Sequence, residues 1–397
     1  MPSSDRSPPL AGITVIDLGR VLAAPFTTSV LASLGARVIK VERPGSGDDS
    51  RAFGPHHNGK SLYFTSVNCD KESIALDLKK KADRAIFEEL LDGADVLVEN
   101  FSPPVMTSLG YGWESAHARW PRLIYGALSG FGLSGPLSAQ PAYDIIAQAL
   151  SGVMSLTGHP GGPPVRVGNS VGDLVAGLYM ALGIVSAIHK RSTTGTGCLL
   201  DVAMLDCQIA FLESFVTTYT TTNISPVALG TRHPSIAPFQ AYLCKDRWIV
   251  MGAGHDVLFA SLCEAIGRGD LARDSDFVSN SNRILNVNRL EAELTATLVT
   301  RNASEWIELL TAAGVPCAPI QSIAQMAAMP QVIAREMIVP VEDPLLPTTC
   351  VPGNPIKMSS VTPRTSRRAA PDLDQHRGAI LKELSQRRAD RDAAKRT

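Results

Sequence analysis

The sequence predicts an α/β protein with a large domain built on a doubly wound parallel sheet and a smaller α+β domain. Three observations lead to this prediction. Short apolar strands alternate with helical segments in the first half of the chain, loops rich in Gly, Ser and Arg follow those strands, and the pattern changes near residue 230. Such alternation is typical of βαβ units, whose strands run parallel.

The first half of the chain supplies the elements of the predicted sheet. Residues 12–18 (GITVIDL) predict a buried strand, the apolar spacing of 24–34 predicts a helix that Gly35 ends, and 37–42 (RVIKVE) predict a second strand. Further short apolar runs predict strands at 73–78, 94–99, 122–128 and 199–202, with a helix at 81–91. Helical spacing also marks 174–188 and 206–222, with a turn at 192–197.

The second half predicts the smaller domain. Residues 237–252 read as a hairpin that turns at Lys245-Asp246-Arg247, and helical patterns follow at 257–266, 288–300 and 303–313. Several prolines at 340–361 predict loops, and the charged end at 386–397 predicts a frayed helical tail. We therefore divide the chain into residues 1–229, 230–330 and 331–397.

Composition excludes several classes of protein. The 397 residues suffice for two domains, and 37 basic against 38 acidic residues leave no global field for nucleic acid. The seven scattered cysteines form no Cys-x-x-Cys, which argues against a disulfide framework and a zinc site. The first ten residues lack a signal-peptide core, and the apolar run 174–188 is too short to cross a bilayer. We expect a cytoplasmic protein with no metal, no membrane partner and no nucleic-acid partner.

The loops after the predicted strands point to a phosphorylated ligand. Ligands of open parallel sheets bind at the carboxyl ends of the strands, where this chain places loops at 42–48, 77–79, 100–103 and 129–132. Backbone N–H groups and arginines in such loops suit a nucleotide or a pyrophosphate. No G-x-G-x-x-G follows the first strand and the chain has no Walker A sequence, so neither a dinucleotide nor a P-loop is predicted.

Asp173 is the candidate nucleophile. It stands directly before the apolar run 174–188 and follows Gly168, Ser170 and Gly172, small residues that leave space around its carboxylate. Such a carboxylate can attack an activated acyl group. The alternative is a structural role, because Asp is a favoured residue at helix starts, where unpaired N–H groups stabilise its charge.

Several ordered motifs resemble one family along nearly the whole chain, from residue 10 to about 381. They are IDLGRVLAAPF, LGARVIKVERPGSGDDSR, SIALDLK, ADVLVENFSP, YDIIAQALSG and GDLVAGLYMALGIVSAIHKR. The chain resembles the class III CoA-transferases of the CaiB/BaiF type, a group that includes formyl-CoA transferase and α-methylacyl-CoA racemase. The resemblance implies a Rossmann-like large domain to which residues 331–397 return, and a ring-like homodimer whose subunits interlock.

The resemblance also implies a mechanism in which CoA and acyl-CoA are substrates and no cofactor is permanently bound. Asp173 matches the family nucleophile, which passes through mixed-anhydride and aspartyl-CoA thioester intermediates. Gly252, Ala253 and Gly254 match a glycine-rich loop that closes over this aspartate in formyl-CoA transferase. Their alternative role is a hairpin end before a helix capped by Asp256.

The positions that would contact CoA carry over from the same motifs. Ser108 stands where formyl-CoA transferase has an arginine, so one phosphate contact is missing, for which Lys79, Arg51 or Lys80 are candidates to compensate. Leu22 replaces a glutamine of that enzyme. The matched contact residues are Leu22, Ala23, Arg43, Leu76, Asp77, Lys79, Asn100, Phe101 and Ser102.

Transferase chemistry is favoured over racemase chemistry at Tyr143, which occupies the position of the racemase histidine. A phenol with a pKa near 10 is a poor partner for α-proton abstraction at neutral pH. Residues 230–241 (GTRHPSIAPFQA) and 250–254 (VMGAG) resemble the family members that use succinyl-CoA and glutarate, which implies succinyl-CoA as donor and a dicarboxylate as acceptor. Arg232, His233 and Arg166 are candidates to bind the distal carboxylate of this acceptor, unless Arg232 and His233 only brace a connecting loop.

The third hypothesis is a scaffold of the same fold that has no catalytic activity. The presence of Asp173 argues against it.

Overall fold

The structure is a computed structural model, and it describes residues 7–394. The described chain forms two compact units. The first contains residues 7–153, 166–221 and 330–394, and the second contains residues 154–165 and 222–329. The sequence-based division had not assigned residues 154–165 to the second unit.

Fourteen strands lie in the described residues, numbered here in chain order. Their bounds are Thr14–Asp17 (β1), Arg37–Glu42 (β2), His56–His57 (β3), Lys60–Ser61 (β4), Glu72–Ala75 (β5), Val96–Glu99 (β6), Ile124–Ser129 (β7), Leu199–Ala203 (β8), Phe239–Leu243 (β9), Trp248–Gly252 (β10), Cys317–Pro319 (β11), Ile338–Glu342 (β12), Cys350–Pro352 (β13) and Arg367–Arg368 (β14).

Eighteen α-helices lie between and around these strands, with a short 3₁₀ helix at Asp49–Ala52. Their bounds are Ala23–Ser33 (α1), Leu62–Asn68 (α2), Lys81–Asp92 (α3), Pro104–Ser108 (α4), Trp113–Arg119 (α5), Asp144–Leu150 (α6), Val153–Leu156 (α7), Val171–Thr194 (α8), Met204–Ala210 (α9), Phe215–Thr222 (α10), Asp256–Ala265 (α11), Gly269–Arg273 (α12), Asn280–Leu285 (α13), Val287–Leu298 (α14), Ala303–Ala312 (α15), Ile323–Ala327 (α16), Pro330–Ala334 (α17) and Arg377–Ala394 (α18).

The first unit is organised around a six-stranded parallel sheet, which confirms the predicted α/β fold. Its strand order is β5-β2-β1-β6-β7-β8, and every pairing is parallel. The central strands β1, β2 and β6 are almost wholly buried and rich in Val and Ile, as strands covered on both faces must be. The strand order reverses between β1 and β6, so a ligand crevice is expected outside the carboxyl ends of these two strands.

Helix α8 is longer than the apolar run that predicted it. It continues through the predicted turn to Thr194 and ends on Gly195, whose φ of 73° only glycine adopts without strain. With 24 residues it is long and apolar enough to cross a membrane, which corrects the estimate made from residues 174–188. Core helices of soluble proteins meet the same criterion, and α8 packs against α1 and the sheet through buried Val175, Met180 and Ile184.

Three other predicted elements differ from the structure. The helix expected at 206–222 is two helices, α9 and α10, separated by a break in which Glu213 has a φ of 49°. The segment expected to be loop contains β12 and β13, whose short alternating pattern the prolines obscured. The charged end is not frayed within the described residues, because α18 is continuous to Ala394 and buries Ile380 and Leu384.

The second unit is built on a three-stranded antiparallel sheet of order β11-β10-β9. The predicted hairpin is present, with Ile249 opposite Tyr242, and it closes through a bond from Cys244 N–H to the Arg247 carbonyl. Apolar side chains from the sheet and from α11, α14 and α15 form its separate core. Arg283 lies fully buried in this unit.

Candidate active site

Asp173 lies in the first turn of α8, three residues after the N-cap Ser170. Its side chain is half-buried. Burial, with a further contribution from the charge of Asp144, raises the pKa of Asp173 to about 7. A merely capping aspartate is stabilised in its charged form, whereas this carboxylate is destabilised in that form, as functional carboxylates often are.

Asp144, at the start of α6, is held in place beside the candidate nucleophile. Its Oδ1 accepts a bond of 2.7 Å from the N–H of Gly172, and its Oδ2 accepts one of 2.7 Å from Gln148 Nε2. The guanidinium of Arg166 lies 3.9 Å from Asp144. The chain therefore fixes a second carboxylate next to the residue that precedes Asp173, with one candidate acceptor-binding arginine beside it.

Glycine at position 177 lets α1 approach α8 one turn below Asp173. A Cβ on Gly177 would lie 2.8 Å from the Phe26 ring and 3.0 Å from the Ala23 carbonyl oxygen. Thr27 Oγ1 donates to the Gly177 carbonyl at 3.2 Å across the same contact. Since residues i and i+4 share a helix face, the start of α1 lies on the same side of α8 as Asp173.

The crevice at the strand-order reversal lies at the loop that leads from β1 into α1. It has a volume of about 110 Å³ and is lined by residues that include Gly19, Arg20, Arg43 and Phe101. Arg43 donates to Ser46 Oγ at 2.6 Å and is paired with Asp49, which also pairs with Arg20. Two guanidinium groups therefore stand at the mouth of the crevice, bridged by one carboxylate.

The other predicted CoA contacts line the same edge of the sheet, but not all of them are free. Leu76 is buried, and Asp77 Oδ1 accepts a bond of 3.1 Å from the N–H of Lys79, whose side chain is exposed. Ser102 is exposed on the turn before α4. Asn100 directs its amide to the backbone of Arg20, and Phe101 N–H donates to buried Glu99 at 2.8 Å.

The candidates to replace an arginine at Ser108 differ in availability. Arg51 pairs with buried Glu42 through two bonds of 2.8 Å and stacks on Phe64. It is therefore committed to the fold. Lys79 and Lys80 remain exposed at the end of β5, with Lys80 3.9 Å from Asp77.

The predicted loop residues Gly252, Ala253 and Gly254 lie in the second unit. The N–H groups of Gly252 and Ala253 donate to the carbonyls of Pro316 and Pro238 at 3.1 and 2.8 Å. The cap of the following helix is His255, whose Nδ1 accepts from Leu258 N–H at 3.2 Å. The sequence had assigned this cap to Asp256, which is instead the first residue of α11.

Arg232 and His233 also lie in the second unit. Arg232 pairs with Glu291 on the wall of an open pocket of about 670 Å³. His233 Nδ1 accepts the N–H of Ser235 at 3.1 Å, and its ring packs edge-on against Phe239. Tyr143, by contrast, belongs to the first unit, where it precedes α6 with 77 % of its surface exposed.

Sequence reasoning missed Arg20 at the crevice, and it missed two residues near the candidate nucleophile. The pKa of Tyr63 is raised by burial and by the negative charge of Asp173, so this phenol is near the candidate nucleophile. Gln208 is buried, and its Nε2, which has no hydrogen-bond partner, lies 2.4 Å from where a Cβ on Gly172 would be. Both come from elements distant in sequence, and only the tertiary fold brings them to α8.

No group of three or more His, Cys, Asp or Glu side chains suited to a metal ion occurs in residues 7–394. All seven cysteines are free thiols.

The first unit combines a parallel sheet, a crevice at its strand-order reversal and a half-buried carboxylate. This arrangement suits a thioester whose carrier contains a nucleotide. The comparisons identify the class as CoA-transferase. Residues 10–377 match the family described as CoA-transferase family III. The chain belongs to that family.

Curated relatives and a solved structure agree with this assignment. The chain is 45 % identical to the acetyl-CoA:oxalate CoA-transferase of Acetobacter aceti, over 95 % of this chain and 96 % of that one. It is 38 % identical to the human succinyl-CoA:glutarate CoA-transferase, over 96 % of this chain and 88 % of that one. A crystal structure of a CaiB/BaiF family protein from Brucella suis has a TM-score of 0.86 at 34 % identity, covering 95 % of this chain and all of that one.

Proposed function

We propose that this enzyme transfers CoA from an acyl-CoA donor to a dicarboxylic acid, with Asp173 as the nucleophile. The observation that carries the proposal is a carboxylate whose charged form is destabilised, at the start of α8 and beside the start of α1. The relatives named above act on oxalate and glutarate, both dicarboxylates. Their donors differ, so succinyl-CoA is our first candidate and acetyl-CoA the second.

The proposed reaction is a series of nucleophilic attacks at carbonyl carbons, each of which forms one acyl bond and breaks another. A carboxylate oxygen of Asp173 attacks the thioester carbonyl, the C–S bond breaks, and a mixed anhydride and CoA thiolate form. The thiolate attacks the aspartyl carbonyl of the anhydride, which gives an aspartyl-CoA thioester and the donor acid. The acceptor carboxylate then displaces the thiolate, and the thiolate attacks the acceptor carbonyl to release the new thioester and free Asp173.

The environment of Asp173 suits this sequence. The ionised form is the nucleophile, and its burial leaves it poorly solvated and so more reactive toward a carbonyl. Once the carboxylate is acylated, the repulsion from Asp144 is relieved, because the anhydride and the thioester are neutral. Water must be excluded since both intermediates hydrolyse readily, and we propose that residues 252–254 close over the site for this purpose.

The proposed CoA site follows the carboxyl edge of the sheet, from Leu22 and Ala23 near the thioester to Arg43 and Lys79 at the nucleotide. Phe101, on the wall of the crevice, offers an apolar surface. For the acceptor, Arg166 has the support of its position 3.9 Å from Asp144. Arg232 and His233 remain candidates for the distal carboxylate, although the bonds of His233 favour its bracing role.

We further propose that the enzyme is a cytoplasmic homodimer with interlocked subunits. The supporting observation is an exposed apolar stripe on α8, where Leu178 and Leu182 expose 51 % and 63 % of their surfaces, together with Phe211 at 59 %. Such a surface is unusual for a monomer and typical of a subunit interface. A dimeric mass by light scattering is expected, and a monomer would contradict this part of the proposal.

Racemisation of an α-methylacyl-CoA is the alternative within the family fold. It requires a proton-transfer partner for Asp173, and Tyr143 occupies the position of the racemase histidine. We expect no exchange of the α-proton of 2-methylacyl-CoA with deuterated water. Exchange at a rate comparable to CoA transfer would restore the racemase hypothesis.

The decisive experiment is to trap the covalent intermediate. The enzyme is incubated with succinyl-CoA or acetyl-CoA, treated with hydroxylamine or borohydride, digested and analysed by mass spectrometry. A modification at Asp173 that is absent from the matched variant Asp173→Ala is expected, and Asp206→Ala serves as the control because Asp206 is exposed in the first turn of α9. Transfer by Asp173→Ala at the wild-type rate would refute the proposed nucleophile, and no transfer with any donor would favour an idle scaffold.

A further inference from the structure

The loop between β1 and α1, residues 18–22, is held by buried charged side chains. Gly19 N–H donates to Asp17 Oδ1 at 2.7 Å, and Lys40 Nζ donates to the Gly19 carbonyl at 2.6 Å. Asp17 and Lys40 are both completely buried. Burial of a charged side chain costs free energy unless the charge is paired and hydrogen-bonded. Here the two buried charges form hydrogen bonds that hold the backbone of the loop.

The next two residues of the loop are fixed in the same way. Arg20 N–H donates to Asn100 Oδ1 at 2.8 Å, and Asn100 Nδ2 donates back to the Arg20 carbonyl at 2.9 Å. Val21 N–H donates to Asp48 Oδ1 at 3.0 Å, and Val21 has a φ of 64°, which a β-branched residue adopts only when its surroundings impose it. The backbone from Gly19 to Val21 is therefore rigid.

The side chain of Arg20 projects from this rigid loop toward the crevice. It lines the crevice wall and is 41 % exposed, and its guanidinium pairs with Asp49, which also pairs with Arg43. The two guanidinium groups share this one carboxylate, so the cluster carries one net positive charge. Each guanidinium has five N–H donors, so one bridging carboxylate leaves donors free for a further anion.

The neighbouring helix adds to the same field. Helix α1 begins directly after the loop, and it has neither an acidic residue in its first turn nor a side-chain cap. Its first N–H groups therefore lack a side-chain anion. A preorganised loop, two arginines and an uncapped helix start converge where the strand order reverses, which is where phosphates bind on such sheets.

We infer that Arg20, together with Arg43, binds a phosphate group of the 3′-phospho-ADP portion of CoA, and so supplies the contact that Ser108 lacks. The inference rests on the proposed function, because it concerns the same CoA substrate. Asp49 bridges the two guanidinium groups and so orients them before the ligand arrives. Preorganisation of this kind lowers the entropy lost when the phosphate binds.

The test compares Arg20→Ala with wild type on three donors of decreasing length. They carry the same acyl group on CoA, on dephospho-CoA and on pantetheine. With the CoA thioester we expect kcat/KM to fall about 10–100-fold, the usual loss for a charge-assisted hydrogen bond, with most of it in KM. With the pantetheine thioester, which has no phosphate, we expect wild type and variant to be equal.

The dephospho-CoA thioester, the donor of intermediate length, shows which phosphate group Arg20 contacts. A penalty that disappears with dephospho-CoA assigns Arg20 to the 3′-phosphate, and one that persists assigns it to the diphosphate. Arg20→Lys keeps the charge without the planar fork and is expected to lie between wild type and Arg20→Ala. The matched control is Arg119→Ala, another half-exposed arginine paired with a carboxylate, which should leave all three values unchanged.

Equal penalties on all three donors would overturn the inference, because a misplaced loop impairs every substrate alike. No penalty on any donor would overturn it as well. Failure of the proposed function is distinguished by calorimetric titration with CoA alone. If wild type binds CoA but transfers none, and Arg20→Ala binds it about 10–100-fold more weakly, the proposed function fails while the inference stands. Absence of CoA binding by wild type would refute both.

Discussion

Replacement of Asp173 by asparagine should make the free enzyme more stable while it abolishes turnover. The pKa of this carboxyl is raised from 3.8 to about 7, a shift of about three units, which corresponds to about 4 kcal/mol of destabilisation once the group is ionised. Two effects reduce that value. The side chain is half-buried rather than fully buried, and its charge at a helix start recovers about 0.5 kcal/mol that asparagine loses. We expect a net gain of about 1–3 kcal/mol at pH 8.

The pH dependence follows from the direction of the shift. Below pH 3.8 the carboxyl is neutral in the folded and the unfolded chain, so it does not change their balance. Between 3.8 and about 7 the unfolded chain ionises first, and wild type loses stability as the pH rises. Above 7 the full penalty is present, so the advantage of Asp173→Asn should grow from pH 4 to pH 7 and then level off.

The assay is the difference in melting temperature between variant and wild type, recorded from pH 4 to pH 8. Asp206→Asn is the matched control, because Asp206 is also the third residue of its helix but is exposed. The difference in melting temperature between Asp206→Asn and wild type should stay small at every pH. A pH-independent difference for Asp173→Asn, or a loss of stability at pH 8, would refute the assignment of a destabilised carboxylate at this position.

Three further predictions follow from the geometry. The kcat/KM for CoA transfer should rise with pH through about 7 as Asp173 ionises. Asp144→Asn should move the midpoint of this pH profile to lower pH, because it removes a charge that repels the ionised Asp173. A midpoint that does not move would contradict this prediction. Gly177→Ala should lower stability by about 1–3 kcal/mol and reduce kcat, since its Cβ would lie 2.8 Å from the Phe26 ring; an unchanged melting curve would exclude the close contact. Arg283→Met should lower the free energy of unfolding of the second unit, measured in urea, by about 3–5 kcal/mol, because four oxygen acceptors lose their donor. A loss below about 1 kcal/mol would show that these acceptors find other donors.

The sheet could be predicted from sequence because its strands carry a local signal. Strand 37–42 is predicted and observed with the same bounds, since RVIKVE is a β-branched run that ends before Pro and Gly. The break between α9 and α10 could not be predicted, because the chain there keeps helical spacing and Glu213, whose φ of 49° marks the break, is a common helix residue. The length of α8 was underestimated because its last turn, KRSTT, is polar and, apart from the buried Arg191, not buried.

The candidate site was predictable only where one residue carries a motif. Asp173 could be chosen from its small neighbours and its place before an apolar run, but its companions could not. Arg20 was overlooked because a single basic residue after a strand resembles any surface charge, and its importance depends on Asn100, distant in sequence. The cap of α11 was misassigned to Asp256 because a histidine that accepts with Nδ1 has no distinctive sequence pattern.

The return of the C-terminal residues to the first unit has a consequence for synthesis. Strand β5 is one edge of the sheet, and residues 374–377 cover its carboxyl end. Ala75 N–H donates to Asp374 at 2.7 Å, and Arg377 donates to the Ala75 carbonyl at 2.7 Å. On the ribosome, β5 emerges long before the residues that cover it. Both segments of the second unit, residues 154–165 and 222–329, also emerge before those residues. Every nascent chain thus carries an uncovered strand edge until residues 374–377 have been made, and a premature stop before residue 374 leaves that edge open to pairing with other chains.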